Sequence, residues 1–544
     1  MSQIDWIILF TTLSGIILYG VFQRRSKRSL EGYFLSDRDM PWYVILFSIM
    51  GTQASAITYL TGPGQAYTDG MRFVQYYFGL PLAMIVICIF FVPVFSRLKV
   101  ITAYEFLEKR FDARTRSLTS FLFLISRGLS TGISIYAPSL VLSSLMGWNI
   151  YITNMVMGGV LIVYTMTGGA RAVAHTQKLQ MIIILSTLLL VGYLSVKLLP
   201  EGKGFVHALR DAGEAGKLNI ISTGMKNGSF DWQDKYNIWS GLIGGFFLAL
   251  SYFGTDHSQV GRYLTGKSTR ESKLGLLMNG LVKVPMQFGI LLLGILIFAY
   301  YSNYKAPVFF DQTKIEKGLQ TASRDSLLVT EQSYQMALQA GNHSDASAYR
   351  LQYKEVLARA IPGEDVNDTN YIFLRFVKDH LPVGLIGILF AIIFLSAWGS
   401  IAAALNSLAA CTVVDFHQRY LAGNKPVDAY RISQWYTLGW GMFCILVSMF
   451  AHNIGNSLIE AVNILGSLFY GVILGIFLVA FWIRQVKGKA VFLAALVSEC
   501  IIIIIYQQNI VSFLWLNVIG AVLVLLLGVL FEIIFRVSGN ATST

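Results

Sequence analysis

Residues 51–67 read GTQASAITYLTGPGQAY. The apolar run WYVILFSIM (42–50) precedes them, and FVQYYFGLPLAMIVICIFFVPVF (73–95) follows after a short turn. The flanks belong in a bilayer, but the segment between them is rich in Gly, Ser, Thr and Gln. Each unpaired N–H or C=O facing lipid costs several kcal/mol. A broken spanning helix therefore has to be buried in protein or line a watery cavity. Gly51, Gly62 and Gly64 are expected to loosen the helix, and Pro63 cannot donate to it. Gln53, Ser55, Thr58, Thr61 and Gln65 offer oxygen ligands. The alternative is that the small residues only let helices pack closely.

The rest of the chain supports a membrane reading. Of its 544 residues, 55% are hydrophobic and 13% charged, where a soluble domain has about 25% charged. Aromatic residues make up 13%, as interfacial belts of Trp and Tyr require. The net charge is +12, but the basic residues sit in short loops between apolar runs, which argues against nucleic-acid binding. Cys88, Cys411, Cys444 and Cys500 are far apart with no CxxC pair, so neither a zinc site nor a disulfide framework is indicated. No nucleophile–base pair points to an enzyme.

At about 20 apolar residues per crossing, the chain is expected to cross about thirteen times. The expected cores are 5–23, 41–66, 73–96, 117–146, 149–167, 177–199, 237–261, 275–301, 382–414, 433–452, 457–482, 490–507 and 510–535. The first has no basic stretch before it and no cleavage site after it, so it reads as a retained span. Basic loops alternate along the chain: Arg24, Arg25, Lys27, Arg28 and Arg38, then Arg97 to Arg116, then Arg262 to Lys273, then Arg419, Lys425 and Arg431, then Arg484 to Lys489. This predicts a multi-pass cell-membrane protein with its N-terminus outside and its C-terminus in the cytoplasm. Two outside segments are long, 200–236 and 302–381. The second has helical periodicity but no ligand cluster. It is expected to be a spacer, with a small helical cap as the alternative.

A second polar segment, LSAWGSIAAALNSLAACTVVD (395–415), puts Ser396, Gly399, Ser400, Ala403 and Ser407 on one helical face. Hydroxyl and carbonyl oxygens suit a hard monovalent cation. Two such segments far apart in sequence fit a two-repeat transporter that binds at the repeat interface. Lys283, inside LVKVPMQF, is either functional or snorkelling. Asn463 is an intramembrane amide beside Gly466.

Four ordered stretches carry a family likeness: TAYEFLEKRF (102–111), TGGARAVAHTQKLQ (167–180), GTDHSQVGRYLTGKS (254–268) and ALNSLAACTVVDFHQRY (404–420). With them the chain resembles the sodium:solute symporter family over nearly its full length. The resemblance implies an all-α integral membrane protein with the leucine-transporter fold, built from 5+5 inverted repeats. The implied layout is a leading helix and loop at 1–40, a first repeat at 41–200, an outside loop at 201–236, a second repeat at 237–484 carrying the 302–381 insertion, and two trailing helices at 485–544. It implies Na⁺-coupled import of a small solute by alternating access.

Carried over position by position, the resemblance puts Na⁺ at the carbonyls of Gly51 and Ala54, with Ser396, Gly399 and Ser400. The family usually has two adjacent hydroxyls where this chain has Gly399 and Ser400. Further ligands for a second Na⁺ fall on Ala402, Ala403 and Gln177, so one ion is expected. Solute positions fall on Gln53, Thr58 and Tyr59, on Tyr252 with Phe253 beside it, and on Lys283 and Asn463. The string SAITYLTGPGQAY (55–67) is closer to the branch carrying monocarboxylates, vitamins and iodide, while the sugar pattern is only partly kept. An organic anion, a sugar or a sialic-acid-like solute are the candidates. A proton-coupled or uncoupled carrier of the same fold is the first alternative, and a transporter-like sensor the second.

Overall fold

The computed structural model describes residues 2–22, 30–421, 429–451 and 457–541. Arg24, Arg25, Lys27, Arg28 and Lys425 of the basic loops lie outside the described residues. Among those described, eight helices are long and apolar enough to cross a bilayer, nine if one bent pair counts as a span. Shorter apolar helices cover Gln3–Ile16, Ile150–Met166 and Ser240–Gly254. The cores expected at 149–167 and 177–199 run together in one helical stretch, Ile150–Lys197.

The bundle is built around Leu385–Cys411. The most apolar stretch of the span containing it is 94% buried inside the protein, against 28% for the span Phe513–Val537. Composition explains the difference. The central helix carries Gly, Ala and Ser, which let neighbouring backbones approach, whereas the last helix is Leu- and Val-rich and faces lipid.

The bent pair is Trp42–Gln53 and Ala56–Asp69, inclined at 61° to each other. The break falls at Ala54 and Ser55, where ψ reaches 75° and 178°. This corrects the expectation that Gly62, Pro63 and Gly64 loosen the helix, because all three lie inside the second half, Ala56–Asp69. They make a packing surface instead. A Cβ at Gly64 would collide with the carbonyl of Thr369, and one at Gly62 would come within 2.9 Å of Ile290 Cγ2.

Thr369 belongs to the 302–381 insertion. That segment takes the helical-cap form: it folds into helices Gln312–Leu319, Arg324–Gln339, His343–Ala360 and Thr369–His380. It is also seated on the second half of the broken helix. The Arg350 guanidinium lies 5.5 Å from the centre of the Tyr67 ring and 5.3 Å from that of Phe310. Arg350 and Lys354 both pair with the buried Asp368, at 2.9 and 2.7 Å. Burial alone would push the Asp368 carboxyl up, but these two cations outweigh it and hold the group below the usual carboxylate range. From the 200–236 segment, Lys217 Nζ donates to Thr68 O at 2.6 Å and so caps the end of the same half-helix.

Candidate functional site at the helix break

A helix end leaves four carbonyls without partners inside the helix, and it is the negative end of the helix dipole. Here the end of Trp42–Gln53 is buried at mid-bundle and faces the central helix. Ser396 Oγ donates to Ala54 O at 2.8 Å, so the two oxygens already share one small space. Ser400 lies one turn along, on the wall of a central cavity, with its hydroxyl on Ala397 O at 3.1 Å. Oxygen atoms without thiolate or imidazole suit Na⁺ rather than a transition metal. Among the described residues no group of three His, Cys, Asp or Glu could hold a metal.

Gly51 and Gly399 belong to the same two helices but face a third one. A Cβ on Gly51 would lie 3.0 Å from Gln177 Cβ and Cγ; one on Gly399 would lie 2.8 Å from Gln180 Oε1 and 3.1 Å from Gln177 Cγ. The Gly399 carbonyl accepts from Gln177 Nε2 at 3.1 Å. Of the expected cation set, the structure thus brings Ala54 and Ser396 into contact, sets Ser400 beside them, and turns Gly51 and Gly399 toward Gln177.

The cavity next to the break has a volume of about 110 Å³. Gln53, Thr58, Tyr252, Phe253 and Asn463 all line it. Tyr59 does not. Successive helical residues point about 100° apart, and with Thr58 in the cavity Tyr59 falls in an apolar cluster with Met50, Ala54, Met181 and Met286. Its hydroxyl reaches Met181 Sδ at 3.7 Å. Lys283 does not line the cavity either. It is fully buried, with Nζ 5.6 Å from the ring centre of Tyr77, and Tyr77 does line it. Asn463 Oδ1 accepts from Tyr76 OH at 3.0 Å, which ties two walls together.

Sequence reasoning missed Arg127. It projects from Ala113–Met146 with Thr131 and Ser134, at i, i+4 and i+7, onto the cavity wall. The signal was present: an arginine deep inside an expected span is a functional candidate by default. Its partner is Asp256, which ion-pairs with Nη2. Asp256 also accepts from Ser258 N at 2.8 Å, Ser258 Oγ at 2.6 Å and Tyr470 OH at 2.9 Å. Tyr470 OH in turn accepts from Arg127 Nη2 at 2.9 Å. The guanidinium carbon lies 5.3 Å from the centre of the Tyr252 ring. Arg127 is the one formally charged residue on the cavity wall among those described, and its Nε has no protein partner.

A broken helix that offers its carbonyl end to a hydroxyl-bearing helix beside a central cavity is the architecture of a secondary transporter. The model of the sodium:solute symporter family matches residues 33–320. The chain belongs to that family, a family of transporters rather than enzymes, and is a multi-pass Na⁺-coupled solute symporter. It is similar to the sodium/sialic acid symporter NanT of Aliivibrio fischeri, 24% identical over 542 residues, covering 99% of this chain and 95% of that protein. It is 25% identical over 476 residues to the human sodium/iodide cotransporter, covering 88% of this chain and 65% of the relative. The fold matches the substrate-bound outward-open structure of a Na⁺-coupled sialic acid symporter with a TM-score of 0.77 at 21% identity, over 98% of each chain.

Proposed function

We propose that the protein imports an acidic, hydroxyl-rich organic solute of the sialic-acid kind, with one Na⁺ per cycle. The cation reading is carried by the Ser396 Oγ–Ala54 O contact of 2.8 Å at the helix break. Na⁺ is taken to sit among Ala54 O, Ser396 Oγ, Ser400 Oγ and the carbonyl end that includes Gly51. A second Na⁺ is not expected, because Ala402, Ala403 and Gln177 offer no carboxylate or hydroxyl.

The solute reading rests on the cavity wall. A single guanidinium, that of Arg127, stands among hydroxyls and amides: Gln53, Thr58, Thr131, Ser134 and Asn463. A carboxylate is the natural partner of a guanidinium fork, and sugar-like hydroxyls are the natural partners of the rest. The sialic acid relatives agree with this choice.

For the architecture we infer thirteen spans in two inverted five-helix repeats, 41–200 and 237–484, with a leading helix and two trailing ones. The N-terminus is outside, on the evidence of the basic loops, and the 302–381 cap shares that side. The test is uptake by proteoliposomes of radiolabelled N-acetylneuraminate, a neutral sugar and a monocarboxylate, each with a Na⁺, H⁺ or no inward gradient. Accumulation of the acidic sugar with Na⁺ alone is expected. Equal uptake without Na⁺ rejects the coupling, and preference for the neutral sugar rejects the role of Arg127.

A further inference from the structure

Gln177 is fully buried, and all its amide hydrogen bonds go to two other helices. Ser48 Oγ donates to Oε1 at 2.8 Å. Both N–H groups are used, one on Thr52 Oγ1 and one on Gly399 O, each at 3.1 Å. Thr52 Oγ1 itself donates to Ser48 O at 2.8 Å, which holds it in place to accept. One side chain on Ile150–Lys197 thus ties the last two turns of Trp42–Gln53 to the middle of the central helix. The gap it fills is left by glycines: a methyl on Gly51 or Gly399 would press on its stem at 3.0 and 3.1 Å. Three positions distant in sequence fit one amide.

The tie sits one turn from the ion oxygens. Gly399 follows Ser396 by three residues, and Thr52 precedes Ala54 by two. The Ala54–Ser396 contact depends on the inner half-helix lying against the central helix, and the amide sets that distance. If the inner half-helix swings away to release the cation, the Ser48 and Thr52 bonds to Gln177 break with it, while the bond to Gly399 O stays with the central helix.

We propose that Gln177 is a positioning residue: an amide latch that holds the inner half of the broken helix against Leu385–Cys411, keeps the cation oxygens in register, and ties ion release to its own opening. This rests on the cation reading above. The experiment uses the full chain in detergent, with Gln177→Met, which keeps the length and removes the hydrogen bonds, and Gln177→Glu, which keeps the acceptor for Ser48 and removes both donors. Hydrogen–deuterium exchange over 42–53 and Na⁺-dependent thermal stabilisation, titrated against choline, are measured on each.

A membrane-interior hydrogen bond is worth about threefold in an equilibrium constant, so the two bonds to 42–53 lost in Gln177→Met predict roughly tenfold, and the one lost in Gln177→Glu about threefold. Exchange in 42–53 is expected to rise by about those factors while 513–541 stays unchanged. The half-stabilising Na⁺ concentration should rise by at least about threefold. Wild-type exchange in 42–53 in either folded variant overturns the latch, whatever Na⁺ does. Faster exchange with an unchanged Na⁺ midpoint overturns its role in the ion site. A wild-type protein that Na⁺ does not stabilise instead rejects the cation reading, and the exchange data still decide the latch.

Discussion

The pair Arg127–Asp256 gives the sharpest test of what the cavity binds. Arg127→Met leaves the Asp256 carboxylate with three donors, Ser258 N, Ser258 Oγ and Tyr470 OH, at 2.6 to 2.9 Å. Asp256→Asn leaves the guanidinium against the hydroxyl of Tyr470 and the face of Tyr252. Each single variant strands a buried charge, which costs about 3–5 kcal/mol. The double variant strands none, so its thermal midpoint should return most of the way to wild type. Transport should not return with it. A charge-assisted hydrogen bond from the guanidinium to the solute is worth about 1.5–3 kcal/mol, which at 1.4 kcal/mol per decade is a roughly 10- to 150-fold rise in the half-saturating solute concentration. The assay is Na⁺-driven uptake by proteoliposomes together with thermal unfolding, on all four proteins. If the double variant recovers both stability and wild-type half-saturation, the pair is structural only and the solute carboxylate is held elsewhere.

Four further outcomes follow from the geometry. With one Na⁺ and a monoanionic solute, no net charge moves, so uptake should be electroneutral; a solid-supported-membrane current would demand a second cation, each charge being worth about 2.3 kcal/mol per 100 mV. Ser396→Ala removes the hydroxyl bonded to Ala54 O and should raise the half-saturating Na⁺ concentration about threefold to tenfold, at little cost to the solute constant at saturating Na⁺. Tyr59→Phe, on the wrong face for the cavity, should leave the solute constant within about twofold of wild type, whereas Thr58→Val should raise it by more. Asp368 is held below its ordinary value in the folded cap, so its stabilising effect is complete above the ordinary carboxylate pKa of about 3.9 and is lost as pH falls through the lower folded value. Limited proteolysis of 302–381 should therefore rise steeply below about pH 4, and Asp368→Asn should show the same sensitivity at neutral pH.

Some properties are carried by each short window of the chain alone. Charge depletion and apolar runs near 20 residues make a multi-pass membrane protein, the polar interruption at 51–67 marks a broken span, and 396–407 reads as a small-residue, hydroxyl-bearing face. Its motifs also led to the family. The exact break was not legible. Gly62, Pro63 and Gly64 are the stronger local breakers, but the chain bends at Ala54 and Ser55, because there Ser396 takes up the carbonyl the bend exposes. At Gly64 the helix stays whole, packed on the Thr369 carbonyl, so the local weakness became a contact surface.

Which side chains meet depends on how the helices pack. The bend sets the phase of the second half-helix, and that phase separates Thr58 from Tyr59. The pairing of Arg127 with Asp256 spans 129 residues, and that of Gln177 with Gly399 spans 222. Periodicity and composition are properties of one helix, whereas a buried charge or amide needs a partner on another. A window that shows the need does not show which helix meets it, and three-dimensional packing supplied that at the break with which the sequence opened.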